Sequence, residues 1–177
     1  MLEVLTIRDI EPSEFDALGA LMVRVYSGLE GFPTPLEQPS YYDLLANIGQ
    51  FTERPGARML VAVTPAAELV GGVVYFGDMR QYGSGGIAGT IENASGMRLL
   101  GVDPAFRNAG AGKALTNACI QLARAQGHAE VILHTTAAMR VAWTLYEKLG
   151  FVRAEELDFL QEEYPVYGFR LQLRADY

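Results

Sequence analysis

Leu99-Leu100-Gly101-Val102-Asp103-Pro104-Ala105-Phe106-Arg107-Asn108-Ala109-Gly110-Ala111-Gly112-Lys113-Ala114-Leu115 is the stretch that decides how this chain folds. Its apolar start reads as a strand, and Asp-Pro ends it. A short turn carries Arg107. Gly110 and Gly112 then open a helix that runs toward Gln126. Glycines at a helix start let a ligand approach the backbone closely. The first N–H groups of a helix have no internal partner, and the helix dipole is positive there. Strand, turn and helix together therefore predict a seat for phosphate.

Two familiar phosphate motifs fail on spelling. A P-loop needs Gly, four residues, then Gly-Lys-Ser/Thr. Here Ala114 follows Gly112-Lys113, and Arg107 stands where the first glycine belongs. A dinucleotide fingerprint needs a third glycine three residues after the second; Leu115 holds that place.

Arg107-x-x-Gly110-x-Gly112 resembles the pyrophosphate-binding signature of the GNAT superfamily of acyl-CoA-dependent N-acyltransferases. About thirty residues later, Leu145-Tyr146-Glu147-Lys148-Leu149-Gly150-Phe151 resembles its second signature. Thr135-Thr136 and Met139-x-x-Ala142 are similar to a bacterial branch. The resemblance covers roughly the C-terminal half of the chain.

Composition is consistent with this. At 177 residues one domain, 1–177, is expected, with room for a substantial core. Half the residues are hydrophobic, which argues against disorder. A net charge of −7 argues against nucleic acid as a partner. No apolar run is long enough to span a bilayer and no signal peptide is apparent, so no membrane partner and a cytoplasmic location are expected. The lone cysteine, Cys119, lies among Ala114, Leu115, Ala118 and Leu122 at helical spacing and reads as a buried small hydrophobe. With only two histidines and one cysteine, no metal site is expected.

Periodicity predicts a strand near 4–8 and a helix from Phe15 after a Ser13-x-x-Asp16 capping box. A loop over 28–39 and a second helix capped by Ser40-x-x-Asp43 follow. Strands are expected at 58–63 and 68–76. The glycine-rich 77–96 reads as a mobile excursion, either a substrate lid or, the reading favoured, a surface insertion with no role. A strand at 97–102, the helix 110–126, a strand at 130–135 and a helix 140–149 stopped by Gly150 come next. A strand within 151–159 and an alternating one at 167–173 complete the order.

The resemblance implies an α/β fold: a mixed, mostly antiparallel twisted sheet of about seven strands flanked by about four helices, with splayed middle strands. It implies acetyl-CoA as cosubstrate and a primary amine of a small molecule or protein as acceptor. Leu100, Gly101 and Val102 would line the pantetheine arm, with the Val102 N–H polarising the thioester carbonyl. Arg107, Asn108, Ala109, Gly110, Ala111, Gly112, Lys113 and Ala114 would hold the diphosphate. Met139 and Ala142 belong to the same coenzyme surface. Tyr146 matches the tyrosine that protonates the leaving thiolate. Many members carry a strand glutamate as base; here Gly96 or Met97 stands at that place. Glu92 and Asp158 are the candidate bases instead, beside a water chain. His134 reads first as a structural group and His128 as exposed. Tyr26, Tyr41, Tyr42 and Tyr164 could wall an amine pocket, with Glu37 or Asp158 holding the charge. A homodimer through exposed late strands is compatible with the sequence. A CoA-binding regulatory or assembly module without chemistry is the alternative reading, motivated by the missing strand glutamate.

Overall fold

The structure, a computed structural model, describes residues 4–173. Among these residues the strands are β1 (Thr6–Asp9), β2 (Ala57–Val63), β3 (Leu69–Phe76), β4 (Ala94–Val102), β5 (Glu130–Thr135), β6 (Val152–Arg153), β7 (Phe159–Gln161) and β8 (Tyr164–Gln172). The helices are α1 (Phe15–Ser27), α2 (Pro39–Ala46), α3 (Ala111–Ala125) and α4 (Arg140–Lys148). The sheet runs β1-β2-β3-β4-β5-β8-β6, with β7 also on β8. Every pairing is antiparallel except β4 with β5. The expected sheet class holds.

Both faces of the sheet are covered, which explains why its central strands read as continuous apolar runs. Along β2, Met59, Val61 and Val63 enter the core under α1 and α2. Leu60 and Ala62 face α3 instead, with Leu115, Cys119 and Ala123. The same alternation sends Val74 and Phe76 of β3 one way, and Val73 and Tyr75 the other. Cys119 is fully buried, and burial pushes its thiol up to about 12, so it stays a neutral packing group.

One irregularity in β4 shapes everything downstream. Gly72 pairs with Gly101 and Val74 with Arg98, so an extra residue is accommodated opposite Val73. Leu99 takes a left-handed φ of +59° there. This is a β-bulge, and it bends the strand. The β4–β5 ladder ends at Met97 with Leu133, whereas β5 continues beside β8 to Thr135. Past Met97 the two parallel strands part, and the backbone from Arg98 to Val102 borders a gap.

Residues 77–93 differ from expectation. Asp78 caps a 3-10 turn by accepting from the Arg80 N–H at 3.0 Å. Met79, Tyr82 and Ala88 are buried in the core. The segment packs against β4, which begins at Ala94 rather than Met97. Its lack of periodicity hid this, because isolated anchors rather than a repeating face hold it down. Smaller differences concern the helix starts. Glu14 reaches back to the Glu11 N–H at 2.9 Å and replaces the Ser13–Asp16 box. Pro39 opens α2, so Ser40 lies inside that helix. The expected 151–159 strand is two short strands around a 3-10 turn.

Candidate functional site

The gap between β4 and β5 opens into a cavity of about 850 Å³. One end is the turn into α3. Asp103 accepts from the Ala105 N–H at 2.9 Å and fixes the Asp-Pro corner. Asn108 and Gly110 both adopt positive φ, +70° and +81°. Ala109 N–H donates to Phe106 and Ala114 N–H to Gly110. The N–H groups of Asn108, Gly110, Ala111, Gly112 and Lys113 have no backbone acceptor among the described residues. Alternating left-handed residues before a helix start form a concavity suited to anions. A Cβ on Gly110 would meet nothing within 4 Å, so the turn is open above it. On Gly112 a Cβ would touch Leu145 at 3.4 Å, which seats α3 against α4.

Most of the predicted coenzyme residues border this one cavity: Leu100, Gly101, Val102, Arg107, Asn108, Gly110, Ala111, Gly112, Lys113, Met139 and Ala142. Ala109 and Ala114 do not; the Ala109 N–H closes the turn onto Phe106, and the Ala114 N–H makes the first helical bond, to Gly110. The Asp103 N–H donates to the Val70 carbonyl at 2.7 Å. Adjacent residues of an antiparallel ladder alternate in bonding, so Val102, opposite Gly71, turns its N–H away from β3 toward the gap. Tyr26 of α1 donates to the Leu100 carbonyl at 2.8 Å and steadies the bulge. That tyrosine reads from sequence only as a pocket wall.

Tyr146 lies on the same cavity, buried, edge-on to Phe151 at 5.8 Å. Its hydroxyl bonds no protein group among the described residues. Burial raises its pKa well above the usual phenol value, with the nearby Cys119 adding to the effect. It is a neutral donor facing the gap.

The candidate bases are placed elsewhere. Glu92 is exposed and borders a separate hollow with Asp78, Arg80 and His128, at the opposite end of β4. Asp158 is clamped by Arg153 at 2.8 and 2.7 Å and accepts the Gly168 N–H at 2.7 Å. The Arg153 hydrogen bonds hold its carboxyl below the usual range. Neither carboxylate lines the cavity. A Cβ on Gly96 would sit 2.6 Å from Tyr82 and 2.8 Å from the Met79 sulfur. The 77–93 segment therefore fills the space a side chain at Gly96 would need. The Tyr82 hydroxyl lies 2.8 Å from His134 Nδ1, and the Ser84 hydroxyl 3.3 Å away. His134 Nε2 donates to the Leu157 carbonyl at 2.8 Å, so its Nδ1 keeps a lone pair. Burial lowers its pKa, and the ring is neutral.

Tyr26, Tyr41 and Tyr164 wall the other half of the cavity with Phe32 and Phe159. Tyr42 is turned away and donates to the Pro33 carbonyl at 2.7 Å. Glu37 accepts from the Tyr164 hydroxyl at 2.8 Å outside the lining. His128 is half-buried rather than exposed, with Nδ1 at 2.6 Å from Ser95.

The chain resembles known proteins along most of its length. The family model described as acetyltransferase (GNAT) family matches residues 22–151. Over 55 residues the chain is 46% identical to a mycothiol acetyltransferase of Streptosporangium roseum, covering 31% of this chain and 16% of that protein. Over 77 residues it is 39% identical to an N-acetylaspartate synthetase of Danio rerio, covering 44% of this chain and 26% of that protein. It thus spans about a quarter or less of these relatives' own lengths. Its fold is that of a GNAT acetyltransferase from Staphylococcus aureus Mu50: TM-score 0.73, 18% identity, 97% of this chain and 100% of the other. A PaiA N-acetyltransferase of Thermoplasma acidophilum, solved with coenzyme A, gives TM-score 0.71 at 14% identity over 93% and 98% of the two chains. The chain belongs to the acetyltransferase (GNAT) family.

Proposed function

We propose that the protein is an N-acetyltransferase that moves an acetyl group from acetyl-CoA to a primary amine. The observation that carries this is the convergence of three groups on one cavity: the unpartnered N–H groups before α3, the freed edge of β4, and the Tyr146 phenol. The cavity fits a coenzyme with a diphosphate and an extended arm. The N–H groups of Ala111, Gly112 and Lys113 take the diphosphate, with Arg107 and Lys113 adding charge. The backbone of Leu100 to Val102 pairs with the arm.

Acyl transfer forms a C–N bond and breaks a C–S bond. The Val102 N–H stabilises the negative charge that develops on the carbonyl oxygen. Tyr146 gives its proton to the departing sulfur and is reprotonated from solvent. The attacking nitrogen must be neutral, although a free alkyl ammonium has a pKa near 10.4. The cavity is lined by Arg98, Arg107, Lys113 and Arg140 and, among the described residues, by no Asp or Glu. Such a lining, with apolar walls, disfavours an ammonium and helps the amine bind uncharged. The proton lost after attack passes through Ser84 toward His134 Nδ1, or to water. Glu92 and Asp158 have no part in this scheme.

The test is release of free thiol from acetyl-CoA across a panel of amines and pH. Amine-dependent release is expected, rising with pH as the acceptor deprotonates. Because burial raises the Tyr146 pKa, the acid stays protonated and no fall is expected below about pH 10. The absence of an acid on the cavity wall favours a second reading, a coenzyme-binding module without chemistry. Tight coenzyme binding with no thiol release from any amine would support that reading instead.

A further inference from the structure

Arg98 and Arg140 are the cavity-wall cations that the diphosphate seat does not use, and of the two Arg98 is half-buried while Arg140 is exposed. Arg98 leaves β4 just before the bulge and lies on the α1–α2 face of the sheet. Its guanidinium is 5.5 Å from the Phe51 ring centroid and 5.9 Å from that of Tyr82. Nη1 donates to the Tyr82 carbonyl at 2.8 Å. No carboxylate pairs with it among the described residues. Arg54 stacks on the same Phe51 ring at 4.3 Å and donates to the Gln81 carbonyl at 2.9 Å, again without a carboxylate. Two half-buried guanidiniums therefore share one aromatic ring in a chain of net charge −7.

Even a half-buried charge is better off with a counter-ion than without one. Holding two backbone carbonyls occupies few of the donors on these side chains. The groups that feel the Arg98 charge include Tyr26, Tyr41, Tyr82, Arg54 and the neutral His134, none of them anionic. Asp158, whose charge reaches His134, is committed to Arg153. Gln38 supplies a second donor: it is 5% exposed, it lines the cavity, and its Nε2 has no partner. The phosphate seat lies on the other face of the sheet, where Gly112 packs on Leu145.

We propose that Arg98 receives a carboxylate on the acceptor, which makes the acceptor an amino acid rather than a simple amine or a polyamine. Tyr26, Phe32, Tyr41 and Phe159 border the same half of the cavity and suit an apolar or aromatic side chain. The proposal rests on the transferase reading above. It also accounts for the missing acid: a cationic wall attracts the carboxylate end and repels the ammonium form of the other.

The experiment compares each proteinogenic amino acid with the amine left by removing its carboxyl group, by thiol release and by thermal shift of the CoA-loaded protein. For the accepted side chain, the amino acid is expected to have a kcat/KM about tenfold or more above its decarboxylated partner. In Arg98→Met, its KM rises by about tenfold or more, while the decarboxylated amine changes little. Arg98→Lys restores part of the preference. A preference for decarboxylated amines overturns the proposal. So does an equal loss for both classes in Arg98→Met, the mark of a latch that merely holds the Tyr82 turn. Amino acids that raise the melting temperature through Arg98 without thiol release would support the carboxylate site and refute the transferase reading. Neither turnover nor a shift with any amino acid refutes the site.

Discussion

Replacing Tyr146 with Phe is expected to lower kcat by about a hundredfold or more, the range for loss of a positioned general acid. Coenzyme affinity should change little. The reasons are local. The Tyr146 hydroxyl bonds no protein group among the described residues, so its removal leaves no orphaned partner. The Phe151 contact at 5.8 Å is an edge contact between rings and survives the change. Stability should therefore stay within about 0.5 kcal/mol of the parent. Stopped assays of thiol release, with Kd measured by calorimetry, separate chemistry from binding. A variant with parental kcat would remove Tyr146 from the mechanism. A large rise in Kd would make it a binding residue.

Gly110→Asp is expected to weaken coenzyme binding by about tenfold to a hundredfold. Two carboxylate or phosphate charges about 5 Å apart at an effective dielectric of 20 repel by about 3 kcal/mol, and solvent screens part of that. The Cβ at this position points into open space, so no packing is disturbed. The φ of +81° is one that Asp and Asn tolerate better than other side chains. Gly110→Asn is the matched control: similar backbone strain, no charge, and coenzyme affinity much closer to the parent. If Asn and Asp weaken binding equally, the turn's shape matters and its electrostatics do not. If neither weakens it, the diphosphate does not sit there.

What the sequence made legible follows its periodicities. β5 was readable to the residue, because Glu130–Thr135 is an apolar run bounded by Gly127 and a polar turn. The strand–turn–helix around Asp103 and Gly110 was equally plain, since turn chemistry marks it directly. Ala109 shows the limit: its N–H closes the turn onto Phe106, a choice between neighbouring amides that only backbone geometry settles. The segment 77–96 reads as a surface insertion for a different reason. Met79, Tyr82 and Ala88 are single anchors among glycines, and no helical or strand period announces them. With those anchors unseen, so is the reason Gly96 carries no acid: Tyr82 fills the space beside it. Asp158 and Glu92 could be nominated from composition, but an ion pair with Arg153 and a place at the far end of β4 are tertiary facts. Arg98 carries no signal in sequence for the same reason: it is one arginine in an apolar strand, and its lack of a carboxylate partner among the described residues exists only in three dimensions.

A crystal structure of the protein with coenzyme A decides where the coenzyme sits. The diphosphate oxygens are expected within about 3 Å of the N–H groups of Ala111, Gly112 and Lys113, the arm along Leu100 to Val102, and the sulfur beside the Tyr146 hydroxyl. Coenzyme seated in any other hollow, or a sulfur remote from Tyr146 with the diphosphate in place, would contradict this placement.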